Sequence, residues 1–256
     1  MGGAAGGGAL YAEGTSVSLV SSAFSDNQCA GASGAGSATE GNGGSIFNRG
    51  ELHVTNCTFR SNRVTGGTGR LASKAGSGGA IYNLSSATIV GTTFEGNAAV
   101  GGRGFASFNS IDESPGASGN GGAIYSTGTV AMVNCTLFQN VASGGDGANV
   151  GGTLPTSGGP GNGGGIFVSS GSFAATNLTF AVNSAQGGIG GTSPGGHASD
   201  GSGFGGAVYV ATGAAATAVN TILANSLSEV TALAPLPMPV TTSLPTPVAT
   251  LPQQAV

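Results

Sequence analysis

The chain has 256 residues, of which 52 are glycine, none is tryptophan and only 6% are charged; ordinary compact domains carry about 25% charged residues, so that class is excluded. Its net charge of -4, with Lys74 as the single lysine and five scattered arginines, leaves no basic stripe to neutralise phosphates and excludes nucleic acid as a partner. The glycines follow no three-residue period and alternate with apolar runs at fixed intervals, which excludes both collagen and a flexible linker.

From the N-terminus, Met1 to Leu10 is glycine and alanine without a cationic segment, so no signal peptide is visible. No stretch reaches the ~18 apolar residues of a membrane span, and none is expected to cross one. A Gly-Gly-small-aliphatic-aromatic motif then recurs six times, ending at Ala9-Leu10-Tyr11, Ser45-Ile46-Phe47, Ala80-Ile81-Tyr82, Ala123-Ile124-Tyr125, Gly165-Ile166-Phe167 and Ala207-Val208-Tyr209. Thirteen or fourteen residues after each aliphatic stands a second motif, apolar-x-x-Asn. It runs Phe24 to Asn27, Phe59 to Asn62, Phe94 to Asn97, Leu137 to Asn140, Phe180 to Asn183 and Ile222 to Asn225.

Between the motifs, apolar or small residues fall two apart, the period of a β-strand. One column reads Val17, Leu52, Ala87, Val130, Phe173, Ala215, and the next Leu19, Val54, Ile89, Met132, Ala175, Thr217. A third reads Ser22, Cys57, Thr92, Cys135, Leu178, Asn220. The overall period drifts between 35 and 43 residues, and the drift falls entirely in Gly-rich segments such as Gly101 to Asn120 and Gly144 to Asn162. A unit of constant length with a variable insert is one coil of a solenoid with a loop leaving every coil at the same corner. The expected fold is therefore all-β: a single-stranded parallel β-helix over residues 1–228, about six coils of ~20 residues, with long Gly-rich loops. Past Glu229 six prolines in a Thr/Ser/Val background read as a disordered tail or linker, 229–256.

The stacking has chemical consequences. The closing asparagines are expected to form an internal amide ladder, and asparagine and glycine to supply left-handed corners. Cys57 and Cys135 share a column two coils apart, ~10 Å at a strand spacing of ~4.8 Å, beyond disulfide reach; with Cys29 they are expected to be free thiols. The aromatics Tyr11, Phe47, Tyr82, Tyr125, Phe167 and Tyr209 should form a second stack, covered by the Gly-rich loops. Thr58, Thr93, Thr136, Thr179 and Thr221 read as an outward β-branched file, and the sequons at Asn56, Asn134 and Asn177 as a by-product of adjacent columns.

The pairing of Gly78-Gly79-Ala80-Ile81 with Phe94-Glu95-Gly96-Asn97 resembles the repeat of the chlamydial polymorphic outer membrane proteins, surface autotransporter adhesins. That resemblance spans Gly6 to about Asn225 and implies a right-handed β-helix, an extracellular or cell-surface location, and host-cell or matrix glycans or proteins as partners of the loops.

Parallel β-helices also carry polysaccharide lyases and hydrolases, which need clustered carboxylates beside a base or cation. Here Asp26 lies in a turn and Asp112, Asp146 and Asp200 in three different inserts, while Glu51 and Glu95 fall in different columns. The histidines, His53 in a strand and His197 in a loop, stand apart from them. Nothing forms a site on one face by spacing, so no catalytic, cofactor or metal residue is assigned and no enzyme is expected. Gly144-Gly145-Asp146-Gly147 lacks the per-turn aspartate of calcium-binding repeats. The expected function is a non-catalytic surface scaffold, adhesin-like or structural; the alternative is a β-helix that binds or degrades polysaccharide.

Overall fold

The computed structural model describes residues 4–106, 113–149 and 155–228. Among them there is no helix, and the chain winds as a parallel β-helix whose coils pair strand on strand. Taking the second coil as type, a two-residue strand Gly41–Asn42 is followed by Ile46–Thr55, Thr58–Arg60 and Arg63–Thr65. Repetition of these four segments builds four parallel sheets, A to D in that order, of six, ten, six and six strands. Sheets B and C were legible as the apolar columns. Sheet A, made of two-residue strands such as Gly41–Asn42 and Gly119–Asn120, and sheet D, such as Ala98–Val100, lie in segments expected to be a corner or a loop. The coil is therefore longer than ~20 residues and spans 41–65 in this copy.

The core is a set of vertical columns. Ile46, Ile81, Ile124 and Ile166 lie on one another in register, as do Leu52, Ala87, Val130 and Phe173. Phe59, Phe94, Leu137 and Phe180 form the column of sheet C, and Val64, Ala99, Ala142 and Ala185 that of sheet D; all are buried. Phe24, Phe59 and Phe94 stack with ring centroids 4.8 and 4.9 Å apart, the rise of one coil. Each fully buried aliphatic or aromatic contributes roughly 1.5–3 kcal/mol, which only stacking makes available.

The sixth coil departs from the expected columns by one residue. Phe173 pairs with Ala216, Ala175 with Ala218 and Phe180 with Leu223, not with Ala215, Thr217 and Ile222. The cause is the turn 211–214, one residue longer than the turn 169–171 of the fifth coil, which delays every later position by one. Thr221 consequently leaves the outward threonine file, where Ile222 takes its place beside Thr179, and Asn220 leaves the third column. The small Ala216 and Ala218 leave an apolar hollow of about 290 Å³ beneath Phe173 and Phe180.

Three corners use left-handed backbone, each as a column. Gly43, Gly78, Gly121 and Gly163 sit at φ between 63 and 71°, where a Cβ would lie 2.1 to 2.2 Å from a carbonyl oxygen of the same coil. The second glycine of the pair is required for a different reason, since a Cβ on Gly79 would lie 1.9 Å from Gly122 O in the next coil. Asn56, Asn134 and Asn177, at φ 52 to 55°, form the second corner on the exposed surface, and their sequons follow from that conformation. The third corner holds Asp26, Ser61, Gly96, Gln139, Val182 and Asn225. Thus the left-handed residue precedes the ladder asparagine, and Asn225 belongs to the corner column rather than to the ladder.

That ladder runs Asn27, Asn62, Asn97, Asn140, Asn183. Each Nδ2 from Asn27 to Asn140 donates to the Oδ1 of the next coil at 2.9 Å, and each backbone N–H donates to the same oxygen at 3.0 to 3.1 Å. The second Nδ2 hydrogen of Asn62, Asn97 and Asn140 goes to the carbonyls of Phe24, Phe59 and Phe94. All four bonding positions of these buried amides are filled, which removes the cost of burying them. Asn48, Asn83 and Ser126 form a shorter buried ladder of the same kind.

The Gly-rich inserts leave after sheet D and return before sheet A, at the same corner in every coil, as expected. They are not independent loops. Outgoing and returning arms bond alternately in one continuous zigzag: Gly67 N–H to Thr39, Lys74 to Gly67, Gly102 to Lys74, Ala117 to Gly102, Gly145 to Ala117, Gly159 to Gly145, Gly188 to Gly159 and Gly201 to Gly188, all at 2.8 to 3.1 Å. A Cβ on Gly102, Gly145 or Gly188 would lie 2.0 to 2.1 Å from the glycine oxygen one coil below. The glycine content therefore lets the arms build a second layer beside the β-helix, packed backbone on backbone from coil to coil.

Candidate functional site

Two groups of polar side chains stand out from this regular background. The first lies on the outer face of sheet B over the first two coils. Gly14 and Thr15 make a β-bulge opposite Gly50, shifting the register between Glu13 and Ser16. Around it Arg49 donates to Glu13 at 2.9 Å, His53 Nε2 lies 3.2 Å from Glu51, and the Tyr11 hydroxyl lies 3.3 Å from Glu13. Two carboxylates, an arginine and a histidine are thus brought onto one face, contrary to the expectation that nothing converges. The reason is the pleat: Arg49, Glu51 and His53 are two apart on one strand, and the parallel register sets Glu13 beside Arg49. All four are exposed on a flat surface, with side-chain exposures from 42 to 58%.

The second group lines a trench of about 470 Å³ running along the axis between sheet D and the outgoing arms. Its floor is one glycine per coil, Gly31, Gly66, Gly101 and Gly144, held to glycine because a Cβ would lie 1.8 to 2.0 Å from a carbonyl oxygen of the returning arm. One wall is sheet D, with Ala30, Thr65, Val100 and Ser143 in register, and Arg63 beside them. The other wall is the column Ser33, Thr68, Arg103, Asp146. Thr68 N–H donates to Ser33 Oγ at 2.9 Å, Arg103 N–H to Thr68 Oγ1 at 3.1 Å, and the Arg103 guanidinium to Asp146 at 3.1 Å. Among the described residues neither Ser33 Oγ nor Thr68 Oγ1 donates a hydrogen bond, so both hydroxyl hydrogens can turn to a ligand. The exposed Arg63 makes no side-chain bond or ion pair among the described residues.

The remaining sequence candidates are separate. Glu95 faces Arg60 at 3.9 Å, and Asp200 accepts the Gly190 N–H at 2.7 Å with His197 3.7 Å away, holding its own insert. Asp26 is a left-handed corner, and Asp112 lies outside the described residues, as does the tail 229–256. Among the described residues no three His, Cys, Asp or Glu side chains gather to hold a metal. Cys29, Cys57 and Cys135 are free and buried, and burial pushes the Cys29 and Cys135 thiols up.

The aromatic stack is continuous from Tyr11 to Tyr209, with centroids 4.8 to 5.4 Å apart. Both ring faces of Phe47 and Tyr82 are taken up by their stacked neighbours, so these rings are not platforms for a ligand. Phe47 and Phe167 are buried and Tyr82 is half-buried; burial, with Tyr125 and Glu40 nearby, pushes its hydroxyl up to about 12.

No family model matches the chain, and no curated protein or solved structure matches it. No helix among the described residues is long and apolar enough to cross a membrane.

Proposed function

We propose that the protein is a non-catalytic surface or extracellular β-helix scaffold, adhesin-like, whose binding surface is the trench between sheet D and the Gly-rich arms. The observation that carries this reading is the division of labour between core and inserts. The core columns are apolar and repetitive, whereas the trench wall presents a different polar side chain in each coil. Such a surface suits recognition of host-cell or matrix glycans or proteins. The repeat's resemblance to chlamydial surface adhesins points the same way.

The test is a binding screen of the intact chain against cell-surface and matrix glycans and proteins, with Thr68→Trp to fill the trench. Binding lost in that variant supports the reading, and binding indifferent to it overturns the assignment of the surface. A second reading, polysaccharide degradation, draws on the Glu13, Arg49, Glu51 and His53 cluster. On the first reading, incubation with neutral and acidic polysaccharides releases no new chain ends; release that disappears in Glu51→Gln would favour the second.

A further inference from the structure

The distribution of charge sharpens what the trench would take, and this step rests on the trench being the binding surface. The cations of the chain, Arg49, Arg60, Arg63, Arg70, Lys74 and Arg103, all fall between residues 49 and 103, although the chain carries a net charge of -4. Two of them, Arg63 and Arg103, stand on the trench, against a single carboxylate, Asp146. Arg103 is joined to Asp146 at 3.1 Å, which leaves Arg63 as an exposed planar donor without a counter-charge among the described residues. In an acidic protein, an uncompensated guanidinium beside hydroxyls marks where an anionic group gains most, because its fork matches a carboxylate or sulfate bidentately.

The repeat along the trench selects the shape of the ligand. Wall groups recur once per coil, and the aromatic stacks measure that step at 4.8 to 5.4 Å. An extended peptide turns equivalent side chains to one face every ~6.6 to 6.8 Å, out of step with the coils. A linear chain of pyranose rings advances about one ring per coil and offers hydroxyls to Ser33, Thr65, Thr68 and Ser143 along its length. The floor, one glycine per coil, leaves no side chain between a flat ring and the backbone.

We infer that the trench binds a linear anionic polysaccharide, with Arg63 and Arg103 receiving its carboxylate or sulfate groups and the wall hydroxyls its ring hydroxyls. Titration calorimetry on the full chain uses three probes: a polyuronate, a sulfated glycan and a neutral glucan, each at low and at 0.5 M salt. The polyuronate or the sulfated glycan binds, more weakly at high salt, and which of them binds identifies the acid group. Arg63→Ala weakens that binding about tenfold or more, as expected for loss of a charge-assisted hydrogen bond. Arg49→Ala, on the other face, leaves it unchanged. Because Arg63 is exposed, its replacement spares the fold, and the far-ultraviolet circular dichroism and melting temperature of the variant serve as the check. Equal binding of the neutral glucan, abolished by Thr68→Trp, overturns the anionic assignment while leaving the trench as the binding surface. Anionic binding indifferent to both Arg63→Ala and Thr68→Trp overturns both, and so does the absence of binding by any of the three.

Discussion

Val182 stands at φ 57° in a column whose other members are Asp26, Ser61, Gly96, Gln139 and Asn225. A β-branched side chain in the left-handed region is strained, at a cost of about 1–2 kcal/mol that its exposed position does not recover in packing. Val182→Asn, which copies the residue found at this corner one coil later, should raise stability by about 1 kcal/mol, read as an upward shift of the urea midpoint at constant slope. The same conformational logic explains the sequons at Asn56, Asn134 and Asn177: each asparagine is a left-handed corner, and Asn177 Nδ2 donates to Asn134 Oδ1 at 3.0 Å across coils. Single residues were the most legible scale where one conformation admits few side chains. The exact corner position was less so, because the asparagine of the motif belongs to the ladder and its predecessor to the turn.

At the scale of elements, the unit of stability is the column across coils. Asn97 fills the middle of the ladder, accepting from Asn62 and donating to Asn140 and to Phe59 O. Asn97→Leu, nearly equal in size, orphans the Asn62 amide and backbone N–H together and should cost about 3 kcal/mol or more, since each buried unsatisfied donor costs about 1–3 kcal/mol. Thermal and denaturant unfolding would register the loss, and Asn27→Leu at the less buried end of the ladder should cost less. The ladder and the apolar columns were legible because identical chemistry recurs at identical spacing. The sixth coil was misplaced by one residue for the converse reason: Ala215, Ala216, Thr217 and Ala218 are too alike for chemistry to reveal the longer turn 211–214 before them. Only the hydrogen-bonded register with Ser172–Thr176 places them.

For the whole molecule, the β-helix and the glycine layer are two stacks built on one rise. Gly102 lies inside the second stack, with Gly67 O 2.1 Å from where its Cβ would be, whereas around a Cβ on Gly34 nothing lies within 4 Å. Gly102→Ala should therefore destabilise the chain by about 1–3 kcal/mol through overpacking, while Gly34→Ala stays within about 0.5 kcal/mol of the parent. Paired melting curves check both. If the arms were free loops, the two substitutions would behave alike. The trench exists because the two stacks stand side by side, and its position along the axis follows from the arms starting at the same corner in every coil.

The amino-acid sequence by itself determined the parallel β-helix, the columns of sheets B and C, the amide ladder, the unpaired thiols and the corner from which the inserts depart. Each of these is a repeated local choice, so its period survives in one dimension. Tertiary structure alone decided that the inserts pack as a layer, because the contacts that join them are backbone to backbone, mostly through glycine, and leave no side-chain pattern to read. It alone brought Glu13 to Arg49 across the bulge and set Ser33, Thr68, Arg103 and Asp146 in one wall. Those side chains each stand six residues after a ladder asparagine, in step with the repeat, but serine, threonine, arginine and aspartate form no recurring pattern, so only the coil-to-coil bonding shows that the register continues into the inserts.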